Sequence, residues 1–216
     1  MQFVALHRTK VAYESLVIKN FNYRIYDTTK VGEGMKRCEI ILAGIGGQGL
    51  LLSGLILGDS AAISEKLYAV QIESYAPLAR GGSSSSDIVI SDEEITYPRI
   101  EKADILIALA SSSYNENKHR VKDDGIILFN SNGGEIEDDP RVIKAPLTDI
   151  AVESTKRAIT VSMVSLGFIP YMTDLVSMKA ITSSIARKAP TGTADVNISA
   201  AEAGAKFAEE FFADKK

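Results

Sequence analysis

The stretch "ILAGIGGQGLLLSG", residues 41–54, decides how the rest of the chain is read. An apolar run stops at Gly44, passes through four glycines in six positions, and resumes as an apolar run with no polar interval. A strand, a tight glycine turn and a helix make the opening unit of a Rossmann-like α/β fold. Gly44, Gly46 and Gly49 fit the G-x-G-x-x-G spacing. Such glycines let the backbone turn sharply and approach an anion, and the start of the following helix presents unpaired N–H groups to it. A Walker loop is excluded, because no Lys-Ser or Lys-Thr follows Gly49. The dinucleotide fingerprint also asks for an acid about 20 residues further on, at the end of the second strand. Glu73 falls near that place, but within "ESYAPLARGG" rather than at a clean strand end, and Gly47 and Gln48 are unusual at the intervening positions. The glycines alone therefore leave a free-standing NAD(P)- or flavin-binding enzyme open.

Outward from this loop, strand and helix patterns alternate. "CEIILAG" (38–44) reads as a first strand, apolar throughout as buried parallel strands are. "GQGLLLSGLILGDSAAISEK" (47–66) reads as a helix that is apolar nearly all round, hence packed between the sheet and something else. Further strands are expected at "KLYAVQIESY" (66–75), "SDIVISDE" (86–93), "ADILIALA" (103–110), "GIILFN" (125–130) and "RVIKAPL" (141–147). Ser111, Ser112 and Ser113 are placed to cap a helix. The last third reads as helical: 148–158, then 161–188 with a break at Pro170, then 197–216. The pattern predicts an α/β fold, a mostly parallel sheet with helices on both faces and a helical C-terminal third. Residues 1–34 differ in composition and end in a glycine-containing linker. They are read as an extension before a domain spanning 35–216.

Composition narrows the function. Lys and Arg number 24 against 28 Asp and Glu, a net charge of −4, which favours neither nucleic acid nor an anionic membrane as partner. No apolar run approaches the roughly 18 residues of a membrane span, and the chain is expected to be cytoplasmic. The single cysteine, Cys38, reads as a buried structural thiol. One cysteine and two histidines, His7 and His119, supply neither the ligands of an iron–sulfur cluster nor those of a structural zinc site. The carboxylates of "KDDG" (122–125) and "EIEDDP" (135–140) sit at turn signals and read as solvated loops.

A second constellation carries more weight. In "SYAPLARGGSSSSDIVIS" (74–91), Arg80 precedes Gly81 and Gly82, so a guanidinium fork stands beside unhindered backbone N–H groups. That suits a phosphate or carboxylate; an internal ion pair shaping a turn is the other reading. "GIGGQG" (44–49), "ESYAPLARGG" (73–82) and "ISDEEITYP" (90–98) together resemble the gamma subunit of the 2-oxoacid:ferredoxin oxidoreductases. The resemblance extends from about Met35 to about Phe212 and includes "SLGFIPYM" (165–172) and "NISAAEAGAKFAEEFF" (197–212). It implies a multi-subunit enzyme that decarboxylates a 2-oxoacid oxidatively, forms an acyl-CoA and passes electrons to ferredoxin. It places thiamine diphosphate, Mg and the iron–sulfur clusters in partner subunits: thiamine-bearing alpha and beta chains and a ferredoxin-like delta chain. This chain agrees, with one Cys and no Gly-Asp-Gly motif followed by Asn. By resemblance Gly44, Gly46, Gly47, Gln48, Gly49, Ser74, Tyr75, Arg80, Gly81 and Gly82 are the binding residues, facing coenzyme A or a neighbouring subunit, and the chain holds no catalytic residue. Two stretches depart from the family pattern. Ala76 and Leu78 stand where a glycine and an acid are common, and Ser162 stands where Asn is common before the Met-x-x-Leu-Gly helix. "SYAPLARGG" looks closer to the 2-oxoglutarate and branched-chain enzymes than to the indolepyruvate type.

Overall fold

The computed structural model describes residues 37–75 and 83–213. The N-terminal extension, His7, and the Arg80-Gly81-Gly82 segment lie outside them. Strand β1 (Arg37–Ile45) leads through the glycine loop into helix α1 (Leu50–Asp59), which runs on as a π-helical turn, Ser60–Ser64. Strands β2 (Tyr68–Tyr75), β3 (Ser83–Ser91) and β4 (Ala103–Ala108) follow, then α2 (Ser111–Asn117), β5 (Val121–Asn130) and β6 (Val142–Ala145). The helical third comprises α3 (Leu147–Thr155), α4 (Val161–Leu166), α5 (Ile169–Met172), α6 (Met178–Lys188) and α7 (Ala194–Ala213).

The strands form one sheet in the order β2-β3-β1-β4-β5-β6. β1, β4, β5 and β6 run parallel, while β3 lies antiparallel between β1 and β2. The antiparallel member follows from chain length. Only residues 76–82 connect β2 to β3, whereas a parallel crossover needs a dozen or more. β3 also begins at Ser83, so the serine run lies within the strand rather than before it. With a strand hydrogen-bonded on each side, the ladder overrides the weak strand preference of serine.

Alternate strand residues fill two cores. On one face Cys38, Ile40, Leu42, Ile105 and Ile107 pack with Leu50, Ile56 and Leu57 of α1 and with the C-terminal helices. On the other, Ile41, Ala43, Leu106 and Phe129 pack with Tyr114 of α2. Helices therefore cover both faces, one far more heavily than the other. The outer side of α1 is partly bare, with Leu51 38% and Leu55 43% exposed.

Three local expectations need correction. The α2 N-cap is Ala110, still extended at φ −146°, and the three serines form the first turn. Ser113 Oγ accepts the Ala110 N–H at 3.2 Å, so it secures the cap from inside the helix. The helical third is interrupted between Leu166 and Ile169, just before Pro170, which then sits in the first turn of α5, where its missing N–H is harmless. A second interruption lies between Met172 and Met178 and ends at the Ser177 cap, whose Oγ accepts the Ala180 N–H. The carboxylate clusters are not simple solvated loops. Residues 122–125 belong to β5, where Lys122 pairs with Asp104 at 2.7 Å. Asp139 is held by Arg141 through two bonds of 3.0 and 2.7 Å and accepts the Tyr114 hydroxyl at 3.1 Å.

Candidate functional site

α1 leaves β1 toward one face of the sheet, and α2 leaves the neighbouring β4 toward the other. The carboxyl ends of β1 and β4 are thus a topological switch point, where open α/β sheets form a crevice for ligands. The glycine loop occupies its lip. Gly44 is buried, and a Cβ there would lie 2.3 Å from Gln48 Oε1 and 3.3 Å from Leu109 Cβ. Gln48 folds back over it, its Oε1 accepting the Ile45 N–H at 2.8 Å. Gln48 therefore ties the loop together. Gly47 (φ +91°) and Gly49 (φ +76°) take left-handed backbone that other residues adopt only at a cost. Around Gly46 and Gly47 there is open space. Gly49 is the N-cap of α1; it brings no side-chain cap, and no acid stands in the first turn. The first N–H groups of the helix accordingly have no intrahelical partner.

Strand register joins the second motif to this end of the sheet. Gly44 pairs with Ser84, and Ser84 pairs with Tyr75. Gly44, Ser84 and Tyr75 form one row across three strands, spanning about 10 Å. Ser74 is exposed on the outer strand. Arg80, Gly81 and Gly82 lie outside the described residues, between two strand ends, Tyr75 and Ser83, that border the glycine loop. Of the predicted site residues, the structure thus brings the five loop residues and the backbone of Tyr75 to one end of the sheet. Glu73 does not meet the dinucleotide requirement. It pairs with Ser86, which pairs with Leu42, so a whole antiparallel strand separates it from β1, and it is exposed on the edge.

Two features escaped sequence reading. Gly54 lets α1 approach β3: a Cβ there would lie 2.1 Å from Ser86 Oγ and 2.6 Å from Gln71 Nε2. Gln71 Nε2 donates to Ser86 Oγ at 2.8 Å and to the Leu51 carbonyl at 3.1 Å, fixing the start of α1 to the sheet. A glycine inside an otherwise apolar helix was the available signal. The second is Ser162, noted above only for its departure from the family. It is 1% exposed, and its Oγ is the one fully buried side-chain polar atom among the described residues with no hydrogen-bond partner. It lies 2.9 Å from where a Cβ on Gly49 would be.

Elsewhere the titratable groups are structural. Burial pushes the Cys38 thiol far up, with the nearby Asp104 carboxylate acting in the same direction, so it stays protonated. His119 is exposed in a turn after α2. Among the described residues no three of His, Cys, Asp and Glu gather as metal ligands, and no helix is long and apolar enough to cross a membrane.

Comparison with known proteins agrees with this architecture. Residues 39–207 match the family model described as pyruvate ferredoxin/flavodoxin oxidoreductase. The chain is 39% identical over 178 residues to the 2-oxoglutarate synthase subunit KorC of Methanocaldococcus jannaschii, covering 81% of this chain and 95% of that protein. It superposes on the gamma subunit of a keto/oxoacid ferredoxin oxidoreductase from Geobacter sulfurreducens with a TM-score of 0.71 and 29% identity, over 80% of this chain and 99% of that one. The same fold recurs, with a TM-score of 0.69 and 22% identity, in a 2-oxoglutarate:ferredoxin oxidoreductase from Magnetococcus marinus solved with 2-oxoglutarate, coenzyme A and succinyl-CoA; the match covers 82% of this chain and 32% of that one. With most of its length matched and its glycine-loop fold shared, the chain belongs to the pyruvate ferredoxin/flavodoxin oxidoreductase family, as a gamma subunit of the 2-oxoacid:ferredoxin oxidoreductases.

Proposed function

We propose that this chain is the gamma subunit of an enzyme that converts 2-oxoglutarate and coenzyme A to an acyl-CoA, with ferredoxin as electron acceptor. In this reading it serves assembly with thiamine-bearing subunits in the cytoplasm and contributes contacts to coenzyme A. Substrate choice rests on the likeness to the KorC subunit over 95% of that protein's length. The contribution to coenzyme A rests on one observation: the α1 start carries no side-chain cap and no acid, and follows a loop with open space around Gly46 and Gly47. Such a helix start offers neutral N–H donors to a phosphate, and in this reading Arg80 adds its guanidinium. The chain by itself is expected to turn over no substrate. A nicotinamide enzyme is disfavoured by the antiparallel β3 between β1 and Glu73.

The test is to purify the chain with the subunits encoded beside it and measure coenzyme A dependence. Arg80→Ala is expected to leave the fold of the isolated chain unchanged. In the assembled enzyme it should weaken coenzyme A binding, or assembly, by about 1.5–3 kcal/mol, the worth of a charge-assisted hydrogen bond. That is about ten- to a hundredfold in affinity. Arg80→Lys should restore only part, since a point charge cannot act as a fork. If Arg80→Ala instead lowers the melting temperature of the isolated chain and leaves coenzyme A dependence unchanged, Arg80 shapes a turn. Micromolar NAD binding to the isolated chain would favour the nicotinamide enzyme.

A further inference from the structure

We propose that residues 20–26, "NFNYRIY", lie along the open edge of β2 as a further, antiparallel strand of the sheet. β2 ends the strand order on one side, and among the described residues no strand pairs with its outer edge. It is eight residues long and lacks the proline, lysine and bulge with which sheet edges are commonly kept from pairing. The opposite edge, β6, differs: it has four residues, one of them Lys144. Tyr68, Val70 and Ile72 share one face of β2, in rows with Ser91, Val89 and Asp87 of β3. Tyr68 is 51% exposed, Val70 and Ile72 are half-buried, and none of the three packs into either core. An apolar stripe thus borders a row of backbone groups that β3 does not reach.

The occupant follows from the chain itself. From Asn20 to Ile25 polar and apolar side chains alternate without exception, the pattern of a strand with one face covered. Beside β2 this strand extends the stripe with Phe21, Tyr23 and Ile25. Its period of two gives Arg24 to the opposite face, the face of Glu73, which is the one charged residue of β2. Reach and direction agree. The described chain begins at Arg37, which pairs with Ser91, and Ser91 pairs with Tyr68. The lane outside Tyr68 is three strand spacings from Arg37, about 14 Å, and residues 27–36 span roughly twice that when extended. Entering at the Tyr68 end and running upstream toward Tyr75, the segment lies antiparallel to β2, the pairing that short connections allow. The family match begins at residue 39, so this strand adds to the shared fold.

The experiment is amide hydrogen exchange on the full chain, followed at residues 20–26 and 68–75. Both stretches should exchange slowly, and to the same degree at low and high protein concentration. Phe21→Asp with Tyr23→Asp, which puts charge on the apolar face, should speed exchange of the outer β2 amides about tenfold or more, while β1 and β4 keep theirs and report an intact fold. Asn20→Thr with Asn22→Thr, on the other face, should leave exchange as in the parent chain. Fast exchange of residues 20–26 in the parent chain, or protection of 68–75 that the double Asp variant leaves untouched, would overturn the proposal. Protection of 68–75 that grows with protein concentration would place a second copy on the edge. Protection that arises only when partner subunits are added would place one of them there, and either result likewise overturns it.

Discussion

Gly204→Ala is expected to destabilise the protein by about 3 kcal/mol, although alanine is the better helix former by about 0.8–1 kcal/mol. Gly204 lies within the 20-residue α7, where it crosses α4. A Cβ there would stand 2.0 Å from the Val164 carbonyl oxygen and 2.8 Å from its carbon. Across the same contact, a Cβ on Gly167 would meet the Ala201 carbonyl oxygen at 2.2 Å and the Ala205 nitrogen at 2.5 Å. These obstacles are backbone atoms, so no side chain can rotate away, and the helices must separate along their length. Overpacking of a core costs about 1–3 kcal/mol and sometimes more, and this contact belongs at the upper end. For a chain of this size the melting temperature should fall by roughly 6–12 °C. Gly58→Ala is the matched control. It too lies in a helix, at a negative φ, but nothing stands within 4 Å of its Cβ position. There the propensity gain is unopposed, and a stabilisation of about 0.5–1 kcal/mol is expected. Equal thermal shifts for the two variants would contradict the close crossing.

Asp139→Ala is expected to cost about 3 kcal/mol. The carboxylate accepts the Arg141 guanidinium at 3.0 and 2.7 Å, the Arg141 N–H at 3.0 Å and the Tyr114 hydroxyl at 3.1 Å. Its side chain is 9% exposed and that of Arg141 18%. Breaking a buried pair from one side costs about 3–5 kcal/mol, because the partner charge stays desolvated. The low end applies, since Arg141 keeps its bonds to the Val121 and Lys122 carbonyls. Burial alone would raise the Asp139 carboxyl, but the bonds from Arg141 outweigh it and hold the group below the usual carboxylate range. A carboxyl depressed in the folded state adds stability above its unfolded pKa of about 3.9, and loses it as the pH falls through the folded value. Urea midpoints of the parent chain and Asp139→Asn, measured from pH 7 to pH 3, should therefore converge on the acid side. A gap that persists unchanged at low pH would show that the pair contributes nothing through its charge.

Asp139 also marks the limit of sequence reading. In "EIEDDP" it looks like its neighbours, and what singles it out is that Arg141, 2 residues on, and Tyr114 of α2, 25 residues back, both reach its carboxylate. Ser162 is the same case, since its meaning depends on an N-cap more than a hundred positions earlier. Local features were legible because their physics is local. The apolar run of β1, the glycine turn, the helical period of the last third and the family motifs all depend on residues close in sequence. Even the antiparallel β3 was implicit in the short connection 76–82, had the crossover length been weighed. By itself, then, the sequence determined the α/β class, the glycine turn between β1 and α1, and the family. Strand order was decided only in three dimensions, and with it the removal of Glu73 from the loop by one whole strand. So were the glycine-on-backbone crossing of α4 and α7 and the hydroxyl stranded beside Gly49. Each depends on which distant surfaces come within a few ångströms, and close packing, unlike periodicity, leaves no regular trace along a single chain.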